Sequence, residues 1–125
     1  MFSHIMVGTN DLERAKTFYD AVLGTLGVRP AKIDGHRMFY RTPTGVFGVG
    51  KPINGEPASI ANGGTIGFAC ESPEQAQAWH EAGIAHGGTA IENPPGIRQG
   101  AAGQLYLAYL RDPDGNKICA TKRMG

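Results

Sequence analysis

The chain has 125 residues, with 12 lysines and arginines against 11 aspartates and glutamates, so a formal charge of +1 gives no electrostatic basis for binding nucleic acid. No apolar run approaches the roughly 18–20 residues of a membrane span, and no basic start with an apolar stretch predicts a signal peptide. Two cysteines are too few for a disulfide framework, which predicts a reducing, cytoplasmic location. The 19 glycines and 8 prolines recur at intervals, as expected for turns between many short elements.

The first half of the chain predicts a strand, a helix and then further strands. The first strand covers residues 2–9, and apolar residues from Leu12 onward follow steps of three and four, which place them on one helix face. β-branched and aromatic residues predict strands over 38–41 and 46–49, with a turn at 42–45 between them.

The second half repeats this order of elements. A strand over 65–70 precedes Ser72, which is followed by a proline and, three residues on, by a glutamine; this is the pattern of a capped helix start. Two more strands are predicted over 104–111 and 117–121, and the residues at 112–116 have the composition of a turn.

An internal duplication accounts for this repeated order. An offset of 61 aligns the strand and helix of the two halves, so that Ile5 matches Ile66. An offset of 70 aligns the later strands, so that the turn after Arg41 matches the turn after Arg111. The larger offset predicts a nine-residue insertion in the second half, near 94–103.

The duplication predicts a single α+β domain over residues 1–125. Each half has the order βαβββ. The modules cover about 1–50 and 65–125, and residues 51–64 link them.

Two stretches carry a family resemblance. The first is His-Ile-Met-Val at 4–7 with Asp-Leu-Glu-Arg-Ala at 11–15, and the second is Arg-Asp-Pro-Asp-Gly-Asn-Lys-Ile at 111–118. With the duplicated βαβββ unit, the chain resembles the vicinal oxygen chelate superfamily of glyoxalase I, bleomycin- and fosfomycin-resistance proteins and extradiol dioxygenases. The resemblance implies two tandem βαβββ modules that form a curved mixed sheet around a central cavity, and it implies a homodimer.

The resemblance also implies where a metal would bind. In metal-using members the ligands come from the first and last strands of each half, and the internal repeat places those positions at His4, Val49, Thr65 and Cys119. Valine cannot bind a metal and threonine is a poor ligand, whereas a cysteine thiolate can bind a borderline ion. The prediction is a degenerate site, at which His4 and Cys119 are the two candidate ligands for Zn²⁺, Ni²⁺ or Fe²⁺.

Other pocket candidates come from the strands and the insertion. Tyr106 and Tyr109 are three residues apart on one strand, so they face opposite sides, and the resemblance favours Tyr106 as the phenol in the cavity. Arg98 lies in the insertion, where it either pairs with an anionic substrate or remains solvated. The predicted pocket comprises His4, Thr65, Arg98, Tyr106 and Cys119.

Two classes of function follow from the resemblance. The leading hypothesis is a glyoxalase/bleomycin-resistance-like protein that binds a small polar organic ligand in its central cavity; with a metal it would be a glyoxalase I-like lyase or isomerase, or an extradiol dioxygenase-like enzyme. The alternative is a non-catalytic protein that sequesters a drug or toxin. No catalytic residue is assigned, and neither nucleic acid nor membrane is a predicted partner.

Overall fold

The computed structural model describes all 125 residues. It contains two helices and nine strands, in the order β1 (His4–Gly8), α1 (Leu12–Gly24), β2 (Ile33–Asp34), β3 (Arg37–Thr42), β4 (Gly45–Gly50), β5 (Ile66–Ala69), α2 (Pro73–Ala85), β6 (Thr89–Ala90), β7 (Gly96–Gly100), β8 (Gly103–Arg111) and β9 (Lys117–Arg123). The predicted α+β fold is confirmed. Neither helix combines the length and the hydropathy that a membrane span requires.

Each module forms its own sheet. The first sheet has the strand order β1-β4-β3-β2, and the second has the order β5-β9-β8-β6, with β7 also paired to β8. The first and last strands of each module, β1 with β4 and β5 with β9, are parallel, while the other pairs are antiparallel. A helix crossover supplies the chain length that each parallel pair needs.

Both helices begin where the sequence predicts. The Asp11 side chain accepts a hydrogen bond from the Arg14 backbone N–H, which caps α1. Ser72 accepts in the same way from the backbone N–H of Gln75, and the Gln75 side chain accepts from the backbone N–H of Glu71. The predicted cap of α2 is therefore formed, with donors satisfied on both sides of the helix start.

The two modules share one core. Four aromatic rings run from α1 across both sheets to α2, with centroid distances of 5.0 Å for Tyr19–Phe47, 5.1 Å for Phe47–Phe68 and 6.4 Å for Phe68–Trp79. Each sheet therefore has a helix-facing side, which packs into this core, and an open side that faces away from the helices.

The strand register corrects one step of the predicted repeat. Ile5 lies opposite Phe47 on the parallel partner strand, and Ile66 lies opposite Ile118. The last strands of the modules are therefore offset by 71 residues, not by the predicted 70. The hairpin loop after β8 is longer than the loop after β3, and this difference breaks the constant offset.

The corrected register changes the counterpart of Cys119. The prediction that Val49 occupies the matching position is wrong, because Val49 is fully buried on the helix-facing side. Gly48 is the residue that matches Cys119, and both lie on the open sides of their sheets. A shift of one residue along a strand moves a side chain to the other face, so the error changes which chemistry the position can carry.

A buried polar network, here called the Asp112 network, joins the second module to the first. One carboxylate oxygen of Asp112 accepts hydrogen bonds from the backbone N–H groups of Asp114 and Asn116, each at 2.9 Å. The other accepts from the Tyr19 hydroxyl on α1 at 2.5 Å and from the Asn116 side-chain amide at 2.9 Å. The Asn116 amide also donates to the Gly8 carbonyl at the end of β1. Burial and the nearby Asp112 carboxylate raise the pKa of Tyr19, so its hydroxyl remains a donor.

Asp114 extends this junction to the start of α1. Its carboxylate accepts from the Thr9 hydroxyl at 2.5 Å and from the Asn10 backbone N–H at 2.9 Å, and it pairs with the Arg14 guanidinium at 2.8 Å. The loop at 112–116, singled out in the sequence as a turn, is therefore the main polar contact between the modules.

Candidate functional site

A cleft with a volume of about 650 Å³ lies between the two modules. Its walls come from the end of α1, from β4 and from β5. Most of them are apolar: Leu23, Leu26, Val28, Phe47, Ile66 and Phe68. The first and last of these elements belong to different modules, so the cleft exists only because the modules pack together.

Polar groups lie at the rim of the cleft. His4 contributes its imidazole from β1, and its Nδ1 lies 2.8 Å from the Ser3 hydroxyl. Thr42 lines the cleft from the end of β3, Thr44 from the hairpin loop that follows, and Glu71 from the loop before α2. The Glu71 carboxylate forms no ion pair within the chain. An apolar interior with a few polar rim groups can bury the apolar part of an organic molecule and orient its polar part.

Comparison of the sequence with protein families identifies one match. The model of the Glyoxalase/Bleomycin resistance protein/Dioxygenase superfamily matches residues 1–120. The chain belongs to this superfamily. None of the curated proteins matches the chain.

Solved structures of other superfamily proteins are similar over almost the whole chain. A glyoxalase/bleomycin resistance protein from Albidiferax ferrireducens T118 is 65% identical, with a TM-score of 0.97 over 98% of this chain and 99% of that one. A glyoxalase/bleomycin resistance protein/dioxygenase family enzyme from Burkholderia phytofirmans PsJN is 19% identical, with a TM-score of 0.73 and 98% of each chain covered. A lactoylglutathione lyase from Agrobacterium tumefaciens is 22% identical, with a TM-score of 0.66 over 97% and 92% of the chains. The last two similarities show the fold alone.

The residues that the sequence predicted to line a single pocket lie in different parts of the structure. His4 lines the cleft, and Thr65 is exposed immediately before β5. Cys119 lies on the open side of the second sheet, opposite Tyr109 in the ladder between β8 and β9. Arg98 on β7 donates to backbone carbonyls in its own loop at 2.9 and 3.0 Å.

The placement of Tyr106 in the cavity is wrong. Its ring lies on the helix-facing side of β8, is 8% exposed, and accepts a hydrogen bond from the Gln77 side chain of α2 at 2.8 Å. Tyr109 is the tyrosine on the open side, next to Cys119. The sequence contained no clear signal for this assignment, because Tyr106 shares its strand face with Ala108 and Leu110, whereas Tyr109 shares its own with Leu105 and Leu107.

The thiol of Cys119 is buried. Its Sγ lies 3.4 Å from the Thr121 hydroxyl, and a side chain added at Gly67 would approach that sulfur to 3.2 Å. Burial raises the pKa of Cys119 above its ordinary value. A thiol that is hard to ionise is a weak nucleophile and a weak metal ligand.

The residues at the metal positions of the superfamily do not form a metal centre in this chain. After the register correction, those positions hold His4, Gly48, Thr65 and Cys119, and only the histidine and the cysteine are common ligands. His4 and Cys119 belong to different sheets, and no group of three histidine, cysteine, aspartate or glutamate side chains is arranged to hold an ion.

Proposed function

We propose that the protein binds a small organic molecule in the cleft between its modules, and that binding needs no metal. The observation that supports this proposal is the cleft itself, with its volume of about 650 Å³ and its mostly apolar lining. Ligand pockets in proteins typically have volumes of roughly 300–1,000 Å³ and combine apolar walls with a few polar groups. A binding or sequestering role therefore fits the geometry better than a metal-dependent lyase or dioxygenase.

The lining indicates what such a ligand would look like. Its body would be apolar and would contact Leu26 and Phe68, which lie on opposite modules. Its polar group would lie at the rim, where the imidazole of His4, the hydroxyl of Thr42 and the carboxylate of Glu71 are the available partners. The small polar ligand expected from the family resemblance is thus refined to one with an apolar body.

A fluorescent probe tests the cleft directly. N-phenyl-1-naphthylamine is neutral and apolar, and we expect saturable binding with increased emission. Leu26→Trp places a larger ring in the cleft and should weaken binding at least about fivefold, because the volume for the probe is lost. Ile84→Trp is the matched control, since Ile84 is 46% exposed on α2 and is not part of the cleft lining.

Unchanged probe affinity in Leu26→Trp would contradict the cleft as the binding site. Elemental analysis of the same preparations tests the second part of the proposal, and we expect no stoichiometric Zn²⁺, Ni²⁺ or Fe²⁺. Stoichiometric metal that disappears in His4→Ala would instead favour the metal-dependent enzyme.

We further propose that the protein is a homodimer. β1 and β5 are edge strands, each with one side free of a strand partner. The residues before β1 include Met1 and Phe2, whose apolar side chains are exposed to solvent. Free strand edges beside exposed apolar side chains favour pairing with another copy. Light scattering on the eluted protein should give twice the chain mass of 13.2 kDa, and a monomer mass would contradict the proposal.

A further inference from the structure

The segment that joins the two modules contains two asparagine–glycine pairs, at 54–55 and 62–63. An asparagine followed by glycine is prone to spontaneous deamidation, because glycine has no side chain to keep its backbone nitrogen away from the neighbouring side-chain amide. All four residues are exposed to solvent. The sequence therefore offers two equivalent candidates for this reaction, and their hydrogen bonds distinguish them.

Hydrogen bonds restrain the first pair. Asn54 Oδ1 accepts from the Glu56 backbone N–H at 3.0 Å, which fixes the side chain in a local turn. The Gly55 backbone N–H, whose nitrogen is the atom that would attack, donates to the Pro52 carbonyl at 3.2 Å. Both reacting groups are therefore engaged, and these bonds must break before the pair can cyclise.

The second pair lacks these restraints. The Asn62 side chain forms no hydrogen bond, and neither does the Gly63 backbone N–H. A single bond closes the turn around them, from the Gly64 backbone N–H to the Ala61 carbonyl at 2.8 Å. A Cβ built on Gly63 would meet no atom within 4 Å, so no other part of the chain packs over the pair. The side-chain amide and the glycine nitrogen are free to approach each other when this exposed turn opens.

The aspartate–glycine pairs at 34–35 and 114–115 are weaker candidates for the same ring closure. A carboxylate is a poorer electrophile than an amide. Asp114 is also held by the Thr9 hydroxyl and the Arg14 guanidinium, and its side chain is only 3% exposed. Asn62 is therefore expected to react before any other residue that precedes a glycine.

We propose that Asn62 is a spontaneous modification site, at which the chain converts to aspartate and isoaspartate. The Gly63 nitrogen attacks Asn62 Cγ, a new C–N bond forms, and the side-chain amide leaves as ammonia, which gives a succinimide ring. Water then opens the ring at either carbonyl, leaving aspartate in one case and isoaspartate in the other. The reaction needs only water, and it does not depend on the ligand proposed for the cleft. Each event adds a carboxylate to a chain whose formal net charge is +1.

The position of Asn62 determines what the conversion changes. On its N-terminal side, the Ala58 backbone N–H donates to Asn10 Oδ1 at 2.7 Å and fixes the chain to the first module. On its C-terminal side, β5 begins at Ile66, which lines the cleft. An isoaspartate routes the main chain through the former side chain and so adds an atom between these two fixed points. The modification therefore lengthens the covalent connection between the modules.

Peptide mapping by mass spectrometry tests the proposal on the folded protein, incubated at mildly alkaline pH. Deamidation at Asn62 should be at least about fivefold faster than at Asn54, because the hydrogen bonds at Asn54 must break first. Enzymatic methylation of isoaspartyl carboxylates measures the isoaspartate fraction. Asn62→Gln should remove the early product, since glutamine would have to close a larger ring. Asn54→Gln is the matched control and should leave that product unchanged.

The same experiment in urea separates the effect of structure from that of sequence. Unfolding removes the hydrogen bonds at Asn54, so the rates at the two asparagines should converge to within about twofold. The proposal is overturned if Asn54 reacts as fast as Asn62 in the folded protein, if the early product persists in Asn62→Gln, or if the difference between the sites persists in urea. It is also overturned if Asn62 reacts in the unfolded chain but not in the folded protein.

Discussion

Asp112→Ala is expected to lower the free energy of unfolding by about 3 kcal/mol, because it leaves several buried donors without an acceptor. The carboxylate is 4% exposed and accepts four hydrogen bonds, one of them from Tyr19 on α1. In a domain of this size, the loss should lower the midpoint of thermal unfolding by roughly 10 °C. Differential scanning calorimetry with urea unfolding would measure both quantities.

Two other variants serve as comparisons for Asp112→Ala. Asp34→Ala removes an exposed carboxylate that forms no side-chain hydrogen bond or ion pair, and it should change stability by less than about 0.5 kcal/mol. Tyr19→Phe removes one bond of the Asp112 network and should cost about 1 kcal/mol. If Asp112→Ala lowers the free energy of unfolding no more than Asp34→Ala does, the Asp112 network does not stabilise the contact between the modules.

Gly83→Ala is expected to destabilise the protein by about 2 kcal/mol, although alanine is the better helix former. A methyl group at this position would lie 2.2 Å from Leu110 Cδ1 and 3.3 Å from Val22 Cγ1. Leu110 and Val22 are fully buried, so neither can move aside without opening space elsewhere. The glycine allows α2 to approach both α1 and the second sheet. Urea unfolding would measure the loss.

Gly24→Ala is the matched control for this prediction. Gly24 is the last residue of α1, it is exposed, and a methyl group there would meet no atom within 4 Å. The same substitution should therefore stabilise the protein by about 0.5 kcal/mol, through the reduced freedom of the unfolded chain. Equal effects at the two positions would show that the packing at Gly83 is not restrictive.

The fold could be predicted from the sequence because its determinants are local or repeated. The cap at Ser72, the turn at 112–116 and the offset of 61 each depend on neighbouring residues or on comparison of the chain with itself. The short strands β2 and β6 were missed, since two residues paired at an edge leave no periodic pattern to detect. The strand β7 was also missed, because its residues were assigned to the predicted insertion near 94–103.

The site was less predictable because it depends on which side of a strand faces the helices. The alternation along β8 separates Tyr106 from Tyr109 but does not say which of them faces outward, and the preference for Tyr106 was wrong. The Val49 assignment failed for a related reason, since an unequal hairpin loop shifted the register by one residue. The cleft is formed by packing between modules, and no motif in either half encodes it.

The two hairpin loops differ in length, and they have different roles in the two copies of the duplicated unit. The longer loop of the second copy carries the Asp112 network and contacts the end of β1 and the start of α1. The hairpin turn of the first copy, at 42–45, lines the cleft together with Ala69, the last residue of β5, and Glu71, which follows that strand. The junction between the loop at 112–116 and the end of β1 therefore anchors the fold. The pseudosymmetric junction between the turn at 42–45 and the end of β5 is open and forms part of the cleft. Substitutions around the cleft can therefore change its shape without removing the contacts that anchor the two halves, so the cleft lining can vary at little cost in stability.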